Sequence, residues 1–208
     1  MPGSPAASRP VSVRERILAS ALDQIGDFGV RRFTVDELAR RVGLSRVTIY
    51  RHFPSRGEVV GAALLYELRG FLTEIEERVA TIENPEARLT EAFVQVIVGL
   101  RRHAMLQRLV RTEPELLLPL LTTEGGPVLA IGREFLVGLV HGPGGLPPEA
   151  APDPELAALA EVTARLVTSF TLTRDSVIPL GDETQLRRFA VRYVGALARE
   201  YAAARAAR

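Results

Sequence analysis

The chain has 208 residues, 47% of them hydrophobic, with no cysteine and a formal net charge of +1. This composition excludes disulfide frameworks and cysteine-ligated metal sites, and it argues for a folded chain with a sizeable core. No apolar run reaches the roughly 20 residues needed to span a bilayer, and the first residues hold no apolar stretch of the kind a secretory signal needs, so a cytoplasmic protein is expected. All 26 basic residues are arginine, which together with abundant Ala, Gly and Pro reads as the codon bias of a GC-rich genome. They are unevenly spread: residues 1–60 hold ten arginines and six acids, whereas the remainder holds sixteen arginines and nineteen acids. That is the sign expected for an anion-binding head on a mildly acidic body.

Taken in order, residues 1–11 are small, polar and Pro-containing and read as a disordered tail. Arg9 within it is read as a solvated tail arginine, with a minor-groove contact as the alternative. Ser12-x-x-Glu15 is a capping box that opens a helix through about Phe28. Ile17, Leu18, Ala21, Leu22, Ile25 and Phe28 share one face of it, and Gly29 ends it. Thr34-x-x-Glu37 is a second box, starting a helix at Val35 with Leu38, Ala39 and Val42 at helical spacing. Gly43 ends that helix, because glycine readily takes the left-handed conformation. Ser45 is a good N-cap for another helix through His52, and Pro54 stops it. Ser55-x-x-Glu58 starts the next. Helix, glycine turn, helix is the layout of a helix-turn-helix, whose second helix reads DNA.

The rest stays helical. Leu64, Leu65, Leu68, Phe71, Leu72, Ile75 and Val79 make one stripe. Asn84-Pro85 caps a helix that is apolar nearly all round over residues 92–100 and so is expected to be central. Residues 105–111 form a short helix, Glu113-Pro114 breaks it, and residues 115–121 add a turn or two. Gly125-Gly126-Pro127 is a loop, residues 128–140 are helical, and residues 141–154 are a Gly- and Pro-rich loop. Asp153-Pro154 caps a helix carrying Leu156, Leu159, Thr163, Leu166, Val167 and Phe170. Asp182 caps the last, with Leu186, Phe189, Ala190, Tyr193, Leu197 and Tyr201 on one face and a fraying end. No strand, repeat or long heptad run is evident. The expected fold is all-α with about nine helices: a tail at 1–11, a three-helix head at 12–57 and a helical body at 58–208.

Residues 12–60 closely resemble the DNA-binding head of TetR-family transcriptional regulators. The resemblance rests on Val42-Gly43-Leu44-Ser45 and on Thr48-Ile49-Tyr50-Arg51-His52-Phe53-Pro54-Ser55-Arg56, about a quarter of the chain. Arg56 stands where lysine is usual, and Gly57 where an acid is common. On a wheel of the second helix, Ile49 and Phe53 point inward, and Val47 and Arg51 fall opposite them. Val47 suits a thymine methyl, and Arg46, near the helix start, suits a bidentate contact to guanine. Thr48, Tyr50, His52 and Arg56 suit phosphate contacts, which fix register. The resemblance implies that role for Thr48, Tyr50 and Arg56 in particular. Arg40 and Arg41 are read equally as phosphate contacts or as a solvated face.

The resemblance further implies a body that dimerises through its last two long helices, here the stripes Leu156 to Phe170 and Leu186 to Tyr201, and that holds an effector among the middle ones. Phe71, Phe93, Phe135 and Phe170, with the polar groups of His103 and Thr163, are the pocket candidates. Ordinary core is the competing assignment for each, and a helix terminus is a further one for His103. An aliphatic pocket with few charges would suit a lipid-like or aromatic effector. With no cysteine and only His52, His103 and His141, material for metal or Cys/His catalysis is lacking, and no P-loop, GxSxG or HExxH occurs. The expected function is therefore a ligand-responsive DNA-binding regulator and not an enzyme. It would be a repressor that binds a palindromic operator as a dimer, with no cofactor and no metal. The alternative is a DNA-binding adaptor whose body binds a protein partner.

Overall fold

The computed structural model describes residues 12–142, 153–173, 175–178 and 180–206. The expectations for residues 1–11, Arg9 among them, and for residues 143–152 lie outside these. Among the described residues every regular element is helical, and no helix is long and apolar enough to cross a membrane. The chain divides into two compact units after Glu67.

The first unit contains α1 (Val13–Phe28), α2 (Val35–Val42), α3 (Arg46–His52) and the start of α4 (Arg56–Val79). Its boundaries follow from local chemistry. The Ser12 hydroxyl accepts from the Glu15 amide, and the Ser12 amide donates to the Glu15 carboxylate, which completes a capping box. The Thr34 and Ser45 hydroxyls cap α2 and α3 by accepting from the Glu37 and Thr48 amides. The Glu37 carboxylate does not return to its cap; it binds Arg40 and Arg41 instead. Gly43 ends α2 at φ 68°, ψ 36°, a left-handed conformation that favours glycine. The core gathers Ile17, Leu18, Ala21 and Ile25 of α1 with Phe33, Leu38, Ile49, Phe53, Val59 and Ala63. Phe28, expected on the apolar face of α1, is half-exposed under the Arg41 guanidinium, and Gln24 takes the inward position one turn earlier.

The second unit is organised around α5 (Pro85–Arg102), which packs against α6 (Ala104–Thr112), α8 (Gly126–His141), α9 (Pro154–Leu172) and the last rod. That rod runs without interruption from α10 (Glu183–Phe189) through a π-helical turn (Ala190–Val194) into α11 (Gly195–Ala206). Ala92, Phe93, Val94, Val96 and Ile97 of α5 are buried, as its all-round apolar pattern requires. Arg88 is buried too; its Nε donates 2.7 Å to the Leu139 carbonyl and satisfies the carboxyl end of α8. Glu86 and Glu91 on α5 pair with Arg199 and Arg187 on the last rod. The α8 and α9 backbones approach closely because small residues meet: a Cβ at Gly132 would lie 3.0 Å from the Ala164 Cβ.

Three expectations change. Residues Pro114–Leu121 form a full helix, α7, rather than a turn or two, so ten separate helical rods stand among the described residues where about nine were expected. The α8 helix begins at Gly126, with Pro127 in its first turn, where a missing N–H costs no hydrogen bond. The single face expected from Leu186 to Tyr201 is two faces. Leu186, Ala190, Val194 and Tyr201 are buried, while Tyr193 is 52% and Leu197 38% exposed. The π turn is the cause: it adds a residue to one turn and rotates everything after Ala190 backwards around the axis. Val194 thereby joins the inward stripe, and Tyr193 and Leu197 leave it.

Gly99 shows how tightly α5 packs against α4. A Cβ there would lie 2.6 Å from the Phe71 ring. Gly99→Ala is expected to lower stability by about 1–2 kcal/mol, the cost of overpacking less the gain in helix propensity. Thermal denaturation measures it, and Phe71→Leu in the same chain makes room and recovers most of the loss.

Candidate nucleic-acid interface

The α3 helix presents three surfaces. Ile49 is fully buried and Phe53 2% exposed, so they anchor it to the core. Val47 is 78% exposed on the opposite side, with the exposed Arg46 and Arg51 beside it. Thr48, Tyr50 and His52 are half-buried on the flanks. The sequence-predicted residues of α3 thus form one contiguous outward surface. No acid lies in the first turn of the helix, and Arg51 and His52 occupy its last. A bare valine framed by guanidinium groups has no internal partner to satisfy. It fits a groove that offers a methyl group and hydrogen-bond acceptors.

The surrounding side chains fix this surface in place. Ser45 caps α3 by accepting from the Thr48 amide at 3.1 Å, and its hydroxyl meets the Thr48 hydroxyl at 2.9 Å. Arg16 on α1 donates 3.0 Å to the Val42 carbonyl at the end of α2. Arg14 lies over the Phe53 ring, 4.6 Å from its centroid. Arg41 bridges Glu37 at 2.8 Å and Asp27 at 3.3 Å from an exposed position, and so braces the head at its surface. Arg41 first, and Arg40 after it, hold the Glu37 carboxyl below the usual carboxylate range. Arg40 keeps an exposed side chain.

Arg56 is exposed and also makes internal contacts. Its Nε donates 3.0 Å to the Phe33 carbonyl, its Nη2 donates to the Val30 carbonyl, and the guanidinium lies over the Phe33 ring. Two donor positions therefore face inward, which makes Arg56 a clamp on the loop between α1 and α2. Asp36 is a residue that sequence reasoning missed: its Oδ1 pairs with Arg46 Nη1 at 3.0 Å. The two are ten positions apart across a turn, so no helical spacing announces the pair.

Two pairs of the body candidates are in ring contact. Phe71 is seated on Gly99 and meets the His103 ring edge-on at 6.1 Å. His103 caps α6, its Nδ1 accepting from the Leu106 amide at 3.3 Å. The Thr163 hydroxyl donates 2.9 Å to Leu159 of its own helix. Phe93 and Phe170 meet edge-on at 6.5 Å, and Phe170 continues to Phe189 at 6.0 Å and Tyr193 at 4.8 Å from Phe189. Phe135 is half-buried on α8. A hollow of about 610 Å³ opens elsewhere in this unit, walled by Pro85, Leu89, Val140, Leu159, Ala198 and Tyr201 together with Asn84, Glu86, Arg199 and Arg205, with none of the six candidates in its lining. Its residues come from four helices far apart in sequence, and no stripe could have marked them. Among the described residues no three His, Asp or Glu side chains gather as a metal site.

The family model for bacterial regulatory proteins of the TetR family matches residues 17–63, which hold all of α2 and α3. An uncharacterised HTH-type transcriptional regulator of Mycobacterium bovis is 38% identical over 60 residues, and so is one of Mycobacterium tuberculosis. That match covers 29% of this chain and 32% of each relative, so about a third of their length is spanned. Over the whole fold, the chain resembles the TetR family repressor AlkX from a Dietzia strain, with a TM-score of 0.70 and 21% identity over 92% of this chain and 98% of that one. The transcriptional repressor QsdR of R. erythropolis gives a TM-score of 0.60 and 18% identity over 86% and 92%. The head at residues 17–63 is thus that of the TetR-family model, and it stands on a helical body whose fold is that of solved TetR-family structures.

Proposed function

We propose that this chain is a DNA-binding transcriptional repressor that acts as a homodimer on a palindromic operator and is released by a small hydrophobic effector. The observation that carries it is the α3 surface, where an exposed Val47 lies between Arg46 and Arg51 and opposite a core-anchored Ile49 and Phe53. In this reading Arg46, Val47 and Arg51 contact base edges, while Thr48, Tyr50 and His52 position the backbone. The head through residue 57 reads DNA, and the body from residue 58 dimerises and senses. The repressor sense follows the names of AlkX and QsdR, both repressors of the same fold. Dimerisation is supported by the outward stripe of Phe189, Tyr193 and Leu197 and by the exposed Val162 on α9. The hollow of about 610 Å³, mostly apolar but with Glu86, Arg199 and Arg205 in its lining, is within the size range of small-molecule sites and is a second effector position beside the one expected around Phe71, Phe93, His103, Phe135, Thr163 and Phe170. An effector there would act by favouring one spacing of the two heads over another.

Selection from a pool of randomised 30-base-pair duplexes tests the reading. The full chain should enrich an inverted repeat, and its affinity for that repeat should fall more than tenfold between 50 and 200 mM salt. Tyr50→Phe should weaken binding to all duplexes alike, since a phosphate contact carries no sequence information. Failure to enrich any sequence, with salt-independent affinity, would overturn it.

A further inference from the structure

We infer that Asp36 sets the sequence specificity of this head by orienting Arg46. The inference rests on α3 being the DNA-reading helix. Asp36 stands in the first turn of α2 and Arg46 in the first turn of α3, and Asp36 Oδ1 meets Arg46 Nη1 at 3.0 Å. The two side chains are 68% and 57% exposed. In water such a pair adds little to folding, so stability gives no reason for it. Its consequence appears when the surface is covered. Displacing water from around the pair strengthens the attraction, at the moment when Arg46 has to choose among acceptors.

A free arginine side chain has many rotamers and donates to any phosphate or base acceptor within reach. With Nη1 held on Asp36, the guanidinium plane is fixed and Nη2 and Nε remain as donors. That paired edge matches guanine O6 and N7, which lie side by side in the major groove. The carboxylate also acts against the alternatives. An Arg46 that swings to the backbone leaves Asp36 unpaired beside phosphates, and like charges repel. Both effects trade general affinity for discrimination. Asp36 is a positioning residue here: it acts through Arg46. The neighbouring cations do not compete for it, because Arg40 and Arg41 are tied to Glu37.

The test uses the full chain as wild type, Asp36→Asn, Arg46→Ala and the double variant. Each goes through selection on randomised 30-base-pair duplexes, followed by anisotropy titration of the enriched duplex and a scrambled one at fixed salt. Asp36→Asn should reduce the ratio of enriched to scrambled affinity about five- to tenfold, mainly by tighter binding of the scrambled duplex. It should weaken a guanine preference at one position per half-site, the same position that Arg46→Ala loses. In the Arg46→Ala background it should tighten both duplexes alike and leave their ratio unchanged. An unchanged ratio in Asp36→Asn overturns the inference, and so does a change in the ratio that persists without Arg46, which would mean that Asp36 acts on specificity by another route. A wild type that enriches no sequence removes the DNA-reading interpretation along with it, whereas an enriched wild type with an indifferent Asp36→Asn removes the Asp36 role alone. The Asn side chain is isosteric and the pair is exposed, so thermal denaturation should show all four proteins folded.

Discussion

Arg56→Ala is expected to destabilise the head by about 2 kcal/mol, because it removes two charge-assisted hydrogen bonds to backbone carbonyls, of which the Val30 carbonyl keeps the Phe33 amide as a donor. The acceptors are the Phe33 carbonyl, 3.0 Å from Nε, and the Val30 carbonyl, bound by Nη2. Both belong to the loop between α1 and α2, which also places the buried Phe33 ring under the same guanidinium. Loosening this loop frees the start of α2, and α2 in turn holds α3 through the Gly43 turn. A head of this size has little stability to spare. Arg56→Lys separates the clamp from a phosphate role. Lysine keeps the charge but has no planar fork, so it reaches one carbonyl at most. The clamp therefore predicts a clear loss of stability in Arg56→Lys, whereas a phosphate contact predicts none. Urea denaturation followed by circular dichroism gives the size, and hydrogen exchange at residues 30–38 shows whether the loss is local to the loop. DNA affinity should fall in both variants in step with the unfolded fraction of the head.

Arg56 also shows where sequence patterns stop being informative. Its charge and position are legible, and the family pattern puts a basic residue there, but the direction of its side chain depends on where a loop 23 residues earlier lies. Local features behaved differently. Ser12, Thr34 and Ser45 cap as their neighbours imply, Gly43 takes the left-handed turn, and Ile49, Phe53 and Val47 divide inward and outward at helical period. Each of these needs only a few consecutive residues to decide it. The Asp36–Arg46 pair needs the geometry of the whole turn, and the hollow in the body needs four helices brought together. The last rod is the instructive intermediate. Its helical character was plain, yet the face was misassigned, because periodicity assumes 3.6 residues per turn and the Ala190–Val194 segment breaks that assumption. Phe71 and His103 were marked by lying on apolar stripes, and the same stripes serve a glycine contact and a helix cap.

That misassigned face leads to the other large effect. In the proposed dimer, Tyr193→Asp together with Leu197→Asp is expected to weaken self-association more than a hundredfold. Both side chains point outward one turn apart, next to Phe189, whose ring lies 4.8 Å from that of Tyr193. An aromatic side chain buried across an interface contributes a large apolar area. In a two-fold interface each substitution occurs twice, so four carboxylates would crowd one desolvated patch. The monomer fold should survive, since the core stripe of this rod is Leu186, Ala190 and Val194, and neither changed residue belongs to it. Sedimentation equilibrium reads the monomer–dimer constant, and circular dichroism confirms the retained helix. Val194→Asp, one position away but 2% exposed, is the contrasting variant: it should unfold the body rather than split the dimer, because it buries an unpaired charge. Had the rod been a plain α-helix, Tyr193 and Leu197 would sit on the inward stripe, and their replacement by aspartate would unfold the chain instead. Monomers that stay folded but bind the palindrome no better than a single half-site would tie the π turn to function, since its extra residue is what turns this face outward toward a second copy.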